Sequence, residues 1–273
     1  MSKTFSVLSW NVEHFGGPVN RRPIQPIIDL IAAQDADVIA LYEVESSHLY
    51  APILEAMPDH HFFITEGEQI QEILVGIRQG VPAYITQKLE FKSGQSTLRP
   101  GVLATLLVDG VYYALLFLHL KSLPDPKGFG LRHDMIRRAY NFKQVLDKSA
   151  ENPPVNYMFM GDLNTMGMDY YPKDKYDIPG ASEIAELKRF ARYRKMRLLE
   201  KTALVTFSNG SQSTYPPANL DHVVAANQMH FTPFNNKDVD VCGWVNEPTA
   251  QKQDEWIAKY SDHSLLYMEV EKA

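Results

Sequence analysis

Carboxylates, imidazoles and carboxamides stand at the ends of short apolar runs all along this sequence. Asn11 and Glu13 follow Val7-Leu8-Ser9-Trp10, Glu43 follows Val38-Ile39-Ala40-Leu41, and His119 closes Leu115-Leu116-Phe117-Leu118. Asp162 and Asn164 come after Met158-Phe159-Met160, Asp221-His222 opens Val223-Val224-Ala225, and Asp262-His263 stands just ahead of Leu265-Leu266. An apolar run that stops in a turn puts its flanking residues at the rim of a sheet, where a rigid scaffold meets solvent. Singly the residues are ordinary: a carboxylate after a strand is usually solvated, and Gly161-Asp162-Leu163-Asn164 has the composition of a turn. As a set they supply oxygen ligands for a hard divalent cation and imidazoles that suit a phosphate.

Such positions demand strands, and the periodicity provides them. Thr4 to Trp10, Asp37 to Leu41, Ile73 to Ile77, Val102 to Val108, Val111 to His119, Val155 to Met160, Leu220 to Ala225 and Leu265 to Val270 read as strands. Asp109-Gly110 joins two of them as a tight hairpin, because that dipeptide accepts positive φ at both central positions. Ile24, Ile27, Ile28 and Ile31 recur at helical spacing, and Leu49, Ile53 and Met57 mark a second short helix. Leu131 to Lys148 and the basic stretch Ser182 to Leu199 are predicted helices. With no linker-like tract, repeat or low-complexity block, the expectation is a single α/β domain of layered sheets over 1–273.

Hydrophobic residues make up 45% of the 273 and charged residues 22%, a balance that buries a core and excludes a disordered or collagen-like chain. No run approaches the roughly 18 apolar residues of a membrane span, and with a strand expected from Thr4 no signal peptide is expected. The lone Cys242 excludes an internal disulfide and a cysteine-rich zinc site and fits a reducing compartment. A cytoplasmic protein with no membrane role and no obligate protein partner is expected. The net charge of −6 does not advertise a polyanion binder. Carboxylates that hold cations, however, count as negative in a sequence and are neutralised in the working protein.

The ordered set Ser9-Trp10-Asn11-Val12-Glu13, Leu41-Tyr42-Glu43, Leu118-His119-Leu120-Lys121-Ser122, Gly161-Asp162-Leu163-Asn164, Leu220-Asp221-His222 and Ser261-Asp262-His263-Ser264 resembles the endonuclease/exonuclease/phosphatase superfamily, most of all its deoxyribonuclease I-like branch. The resemblance implies an α/β fold of two stacked mixed β-sheets flanked by helices, a four-layer sandwich, with a divalent-metal phosphoesterase site at one rim. It implies Mg²⁺, with Mn²⁺ as a substitute, on Glu43 with Asn11, Glu13 and Asp262. Asp162 would orient or deprotonate the attacking water, Asn164 would position the phosphate, and His263 would polarise a phosphate oxygen. Two further residues enter through the resemblance alone: Glu72 as the partner of His119, and Arg99 as a grip on the target phosphate. A carboxylate facing an imidazole holds its proton and its orientation, so Asp221 with His263 and Glu72 with His119 are expected as pairs, both protonated. His222, next to Asp221 on a strand, should point to the opposite face and act structurally.

For the substrate, the expectation is hydrolysis of DNA with weak sequence preference. Arg132, Arg137, Arg138, Tyr170 and Tyr171 are candidate contacts because they follow His119 and Asn164 closely in sequence. The alternative is a phosphatase or phosphodiesterase acting on a small or lipid headgroup phosphoester, of inositol phosphate or sphingomyelin type, since loops rather than fold set the substrate. The seven cations from Lys188 to Lys201 could follow a phosphate backbone, although a charge run is more often a solvated helix face.

Overall fold

The computed structural model describes residues 3–18, 22–45, 47–67, 71–170 and 176–272. The chain begins with β1 (Lys3–Phe15), α1 (Ile24–Ala33), β2 (Val38–Val44), α2 (Tyr50–Ala56), β3 (His60–Ile64) and β4 (Glu72–Arg78). It continues with β5 (Ala83–Lys88), β6 (Gly101–Val108), β7 (Val111–His119), α3 (Pro126–Ser149), β8 (Asn156–Asp162), β9 (Gly167–Met168) and β10 (Ile178–Pro179). The last part comprises α4 (Gly180–Tyr193), β11 (Met196–Leu198), β12 (Asp221–Ala226), β13 (Asp240–Cys242), α5 (Ala250–Lys259) and β14 (Leu265–Glu271).

Two six-stranded sheets result, ordered β13-β14-β1-β2-β4-β3 and β11-β12-β8-β7-β6-β5. Each is mixed: β1 with β2 and β7 with β8 run parallel, while the other neighbours run antiparallel. The central strands are apolar on both faces because both faces are covered. Phe5, Val7, Val38 and Val75 of sheet one meet Val102, Leu115, Phe117 and Met160 of sheet two in the core between the sheets. The opposite face of sheet one packs Leu8, Trp10 and Leu41 under Ile27, Ile28 and Ile31 of α1. That of sheet two packs Leu116 and Phe159 under Met135 and Tyr140 of α3 and Leu187 of α4. Helix, sheet, sheet and helix make the four layers expected.

Local chemistry sets the element ends. The β6–β7 hairpin turns on Asp109 and Gly110, both at positive φ, as read from sequence. Helix α3 starts earlier than predicted, since Pro126 fits the first turn and the Asp125 carboxylate accepts from the Gly128 N–H at 2.9 Å. The basic stretch is not one helix: α4 ends at Tyr193, Lys195 turns at φ 53°, and Met196–Leu198 pairs with β12. Sheet pairing overrides helical spacing there. None of the described helices is long and apolar enough to cross a membrane.

Candidate active site

Three neighbouring strands of sheet two reach the rim in register. His119, closing β7, lies opposite Asp162 at the end of β8, and Asp162 lies opposite Asp221 at the start of β12. Sheet one brings Asn11 on β1, Glu43 on β2, Glu72 on β4 and His263 just ahead of β14 to the same end.

Bulges aim two of these strands. The β1–β2 register slips between Asn11 and Phe15, where Glu13 and His14 take φ of 43° and 50°. The β2–β4 register slips between Tyr42 and Val44, leaving Glu43 at φ 63°. An extra residue in a ladder bends the strand and redirects its side chain, and a left-handed non-glycine residue costs about 1–3 kcal/mol. The bond from the His14 N–H to the Glu43 carboxylate, at 3.1 Å, offsets part of that strain. On the opposing sheet, Gly161 at φ 138° lies so close to β7 that a Cβ would overlap the Leu118 carbonyl oxygen. Only glycine lets Asp162 follow directly.

One carboxamide links the two sheets. Asn11 Nδ2 donates to Asp162 Oδ2 at 3.0 Å and to Glu43 Oε1 at 3.3 Å, while its Oδ1 accepts from the Glu13 N–H at 3.0 Å. Asp162 Oδ1 accepts the Asn164 N–H at 3.0 Å, and Asn164 Nδ2 donates to the Leu120 carbonyl at 3.1 Å. Asn164 thus braces the turn that carries Asp162. The expected Asp221–His263 contact is formed: His263 Nδ1 lies 2.8 Å from Asp221 Oδ2 with both side chains buried. His263 Nε2 lies 3.9 Å from Asp162 Oδ2 and 3.9 Å from Asp262 Oδ1. His222 turns away, its Nε2 against Thr165 Oγ1 at 2.8 Å.

Charge differentiates the two imidazoles. Burial alone would lower the His263 pKa, but the carboxylates of Asp221, Asp162 and Asp262 outweigh it and hold the ring protonated, well above its ordinary value. His119 goes the other way, driven well below its ordinary value by burial and then by the Arg99 guanidinium. Its Nε2 stays 3.5 Å from Glu43 Oε1 and 3.6 Å from Asp162 Oδ2, beyond good hydrogen-bond length, and its buried Nδ1 has no partner. The expectation of two protonated rings is corrected to one of each state.

Other sequence expectations are corrected too. Glu72 does not pair with His119; it accepts from Thr65 Oγ1, which is the nearer donor across the β3–β4 turn. Glu13 is committed to Arg22 at 2.6 Å and to the Asp262 N–H at 3.2 Å, so it supports Asp262 rather than presenting a free ligand. Arg132 is wholly buried. It is held by Glu183 at 2.8 Å and by the carbonyls of Leu123 and Gly167, so none of its fork faces a substrate. Arg137 and Arg138 lie exposed on α3, the latter paired with Asp134. Tyr170 is exposed and packs edge-on against Tyr176, with ring centroids 5.7 Å apart. Tyr171 lies outside the described residues.

Arg99 does join the rim, anchored by a residue that sequence reasoning missed. Its Nε donates to the Gln71 carbonyl at 2.9 Å and its Nη2 to Gln71 Oε1, while Gln71 Nε2 reaches Glu43 Oε2 at 3.3 Å. His14, also missed, faces Glu43 and bonds Glu45. Adjacency to Glu72 and Glu13 was the only signal for either.

The donor set suits a divalent cation. Burial, with the like charges of neighbouring carboxylates, raises Asp162 and Asp262 to about 7 each, although His263 pulls both down. Added positive charge near Glu43 and Asp162 would relieve that crowding, and the donors are the hard oxygens such a cation prefers. Asp162, Asp221 and His263 also bring ligand atoms within 4.8 Å of one another. Because Asp221 and His263 already bond each other, that group is an oriented imidazole beside Asp162 rather than three open ligands.

A model of the Endonuclease/Exonuclease/phosphatase family matches residues 8–263. No curated protein matches the sequence. Among solved structures, D. rerio TDP2 complexed with single strand DNA product aligns at TM-score 0.66 and 15% identity, covering 98% of this chain and 99% of its own. Truncated Caenorhabditis elegans TDP2 aligns at 0.63 and 14%, covering 98% of each chain. A family protein from Leptotrichia buccalis aligns at 0.63 and 16%, covering 98% and 100%. At these identities the likeness is one of fold.

Proposed function

The chain belongs to the endonuclease/exonuclease/phosphatase family, and we propose that within it the protein is a divalent-metal-dependent phosphodiesterase cutting nucleic acid, DNA foremost, with weak sequence preference. The observation that carries this reading is the meeting of Asn11, Glu43 and His263 from one sheet with Asp162 and Asp221 from the other, closed by the bonds from Asn11 to Asp162 and between His263 and Asp221. The D. rerio TDP2 neighbour, which holds a single strand DNA product, supports a nucleic-acid substrate.

Mg²⁺, or Mn²⁺ in its place, would be held by Glu43 with Asn11 and Asp262 and would supply charge against the phosphate and its leaving oxygen. Asp162, its proton affinity raised by burial, accepts the proton of the attacking water, and the Asn11 amide keeps its Oδ2 aimed. His263, protonated and oriented by Asp221, donates from Nε2 to a phosphate oxygen. Arg99, fixed by Gln71 through Nε and Nη2, presents Nη1 to the same phosphate. These donors are set before charge develops, which is where electrostatic stabilisation gains most. Tyr170 offers a ring on which an unpaired base could stack.

The test offers purified protein supercoiled plasmid, RNA, inositol phosphates and sphingomyelin, with Mg²⁺, Mn²⁺ or excess chelator. Metal-dependent nicking of plasmid is expected. Release of inorganic phosphate from a monoester with intact plasmid would move the protein to the small-phosphoester reading, and full activity in chelator would remove the metal.

A further inference from the structure

The outer face of sheet two holds a second concentration of charge that chemistry at the rim does not use. Between α4 and the segment running from β11 past Lys201 lies a groove of about 590 Å³, within the size range of small-molecule sites. Lys188 and Arg192, one turn apart on α4, line it with Arg197, Lys201 and Lys237, against the single acid Glu200. In a chain of net charge −6 that local excess is a departure. Lys237 pairs with Glu200 at 2.6 Å, and Arg197 is engaged by Asp238 at 3.5 Å and by the Met229 carbonyl at 3.0 Å. Lys188 and Arg192 are exposed and form no ion pair among the described residues.

Lys201 is the buried member. Only 8% exposed, it donates to Asn219 Oδ1 and to the Asp221 carbonyl, each at 2.5 Å. An ammonium has three donors, so one N–H is left, on a side chain that lines the groove. Both its hydrogen-bond partners are neutral dipoles, and the nearby Asp221 carboxylate, bonded to His263, offsets only part of the cost of burying the cation. Burial lowers the amine to about 8, against the weaker opposing pull of Asp221. An anion in the groove would supply further counter-charge. The remaining lining is mixed: Ile184, Met196 and Leu204, the last 75% exposed, give it an apolar side, and Thr202, Asn219 and His222 add polar groups. Cations beside an apolar wall fit a phosphate on a compact organic body better than a bare inorganic ion.

We infer that this groove is a binding site for a phosphomonoester of nucleotide size, seated on Lys188, Arg192 and Lys201. Two sources share that chemistry: a free phosphorylated small molecule, or the terminal phosphate of a nucleic acid strand. The site does not depend on the hydrolytic reading, because it is assayed without metal or turnover.

Equilibrium dialysis of the full chain in excess chelator at low salt uses adenosine 5′-monophosphate in one arm and a short 5′-phosphorylated oligonucleotide in the other. One bound probe per chain is expected, weakened at least about tenfold in Lys188→Glu/Arg192→Glu protein. Both side chains are exposed, so the melting temperature should hold. Tighter mononucleotide binding identifies a free ligand, and tighter oligonucleotide binding with the same sensitivity identifies a strand end. Absence of binding by both probes, unchanged affinity in the double variant, or loss of mononucleotide binding in Arg99→Ala protein instead would overturn the site.

Discussion

Replacing Asp221 by asparagine keeps the shape of the side chain that bonds His263 and removes its charge. The contact spans 2.8 Å between side chains 4% and 5% exposed, so water cannot substitute for the lost carboxylate. A hydrogen bond to a charged group contributes about 1.5–3 kcal/mol, and burial places this one at the upper end. About 3 kcal/mol corresponds to a rate loss of roughly 150-fold if the protonated ring matters mainly in the transition state. His263→Gln removes the ring itself and should cost at least as much. Because the two act as one device, the double variant should lose no more than about threefold beyond the worse single change, giving a coupling near 3 kcal/mol. Single-turnover cleavage of labelled DNA in Mg²⁺, with circular dichroism to verify folding, measures all four proteins. Losses that multiply to about 20,000-fold, or an Asp221→Asn protein within threefold of the parent, would refute the reasoning.

The opposite outcome is expected for Glu72 and His119: with no bond between them, the costs of Glu72→Gln and His119→Ala should add in the same assay, and strong coupling would restore the pairing. Arg132→Met leaves Glu183 buried without its cation and should lower unfolding stability by about 3–5 kcal/mol in urea titration, while leaving the salt slope of DNA binding unchanged. A loss under about 1 kcal/mol would return Arg132 to the surface. Lys201 binds its proton less tightly folded, at about 8, than unfolded, at 10.5. Stability should therefore rise with pH between those values, by up to about 3 kcal/mol relative to a Lys201→Met protein, and parallel curves for the two would contradict the burial.

The strands were legible because apolar runs with punctuated ends leave few choices, and Asp109-Gly110 named its own turn. The rim residues were legible as a set because strand ends converge wherever sheets stack. Arg132 misled because proximity to His119 in sequence says nothing about which way a helix faces; its position turns it inward to Glu183. Gln71 and His14 were invisible because their places come from a loop and a bulge, which break the period that pattern reading relies on. Met196–Leu198 looked helical because its strand partner lies about 30 residues further along the chain. Glu72 followed family expectation, but the local donor Thr65 claimed it.

Three of the contacts that close the rim cross from one sheet to the other: Asn11 to Asp162, His263 to Asp221, and His119 toward Glu43. No ladder within either sheet maintains those spans; the thickness of the apolar filling does, through residues such as Phe117, Met160 and Val75. The site therefore works as a caliper resting on its own spacer. Trimming a methylene far below the rim should alter turnover before it visibly alters secondary structure, because a small change in sheet separation reaches all three spans at once.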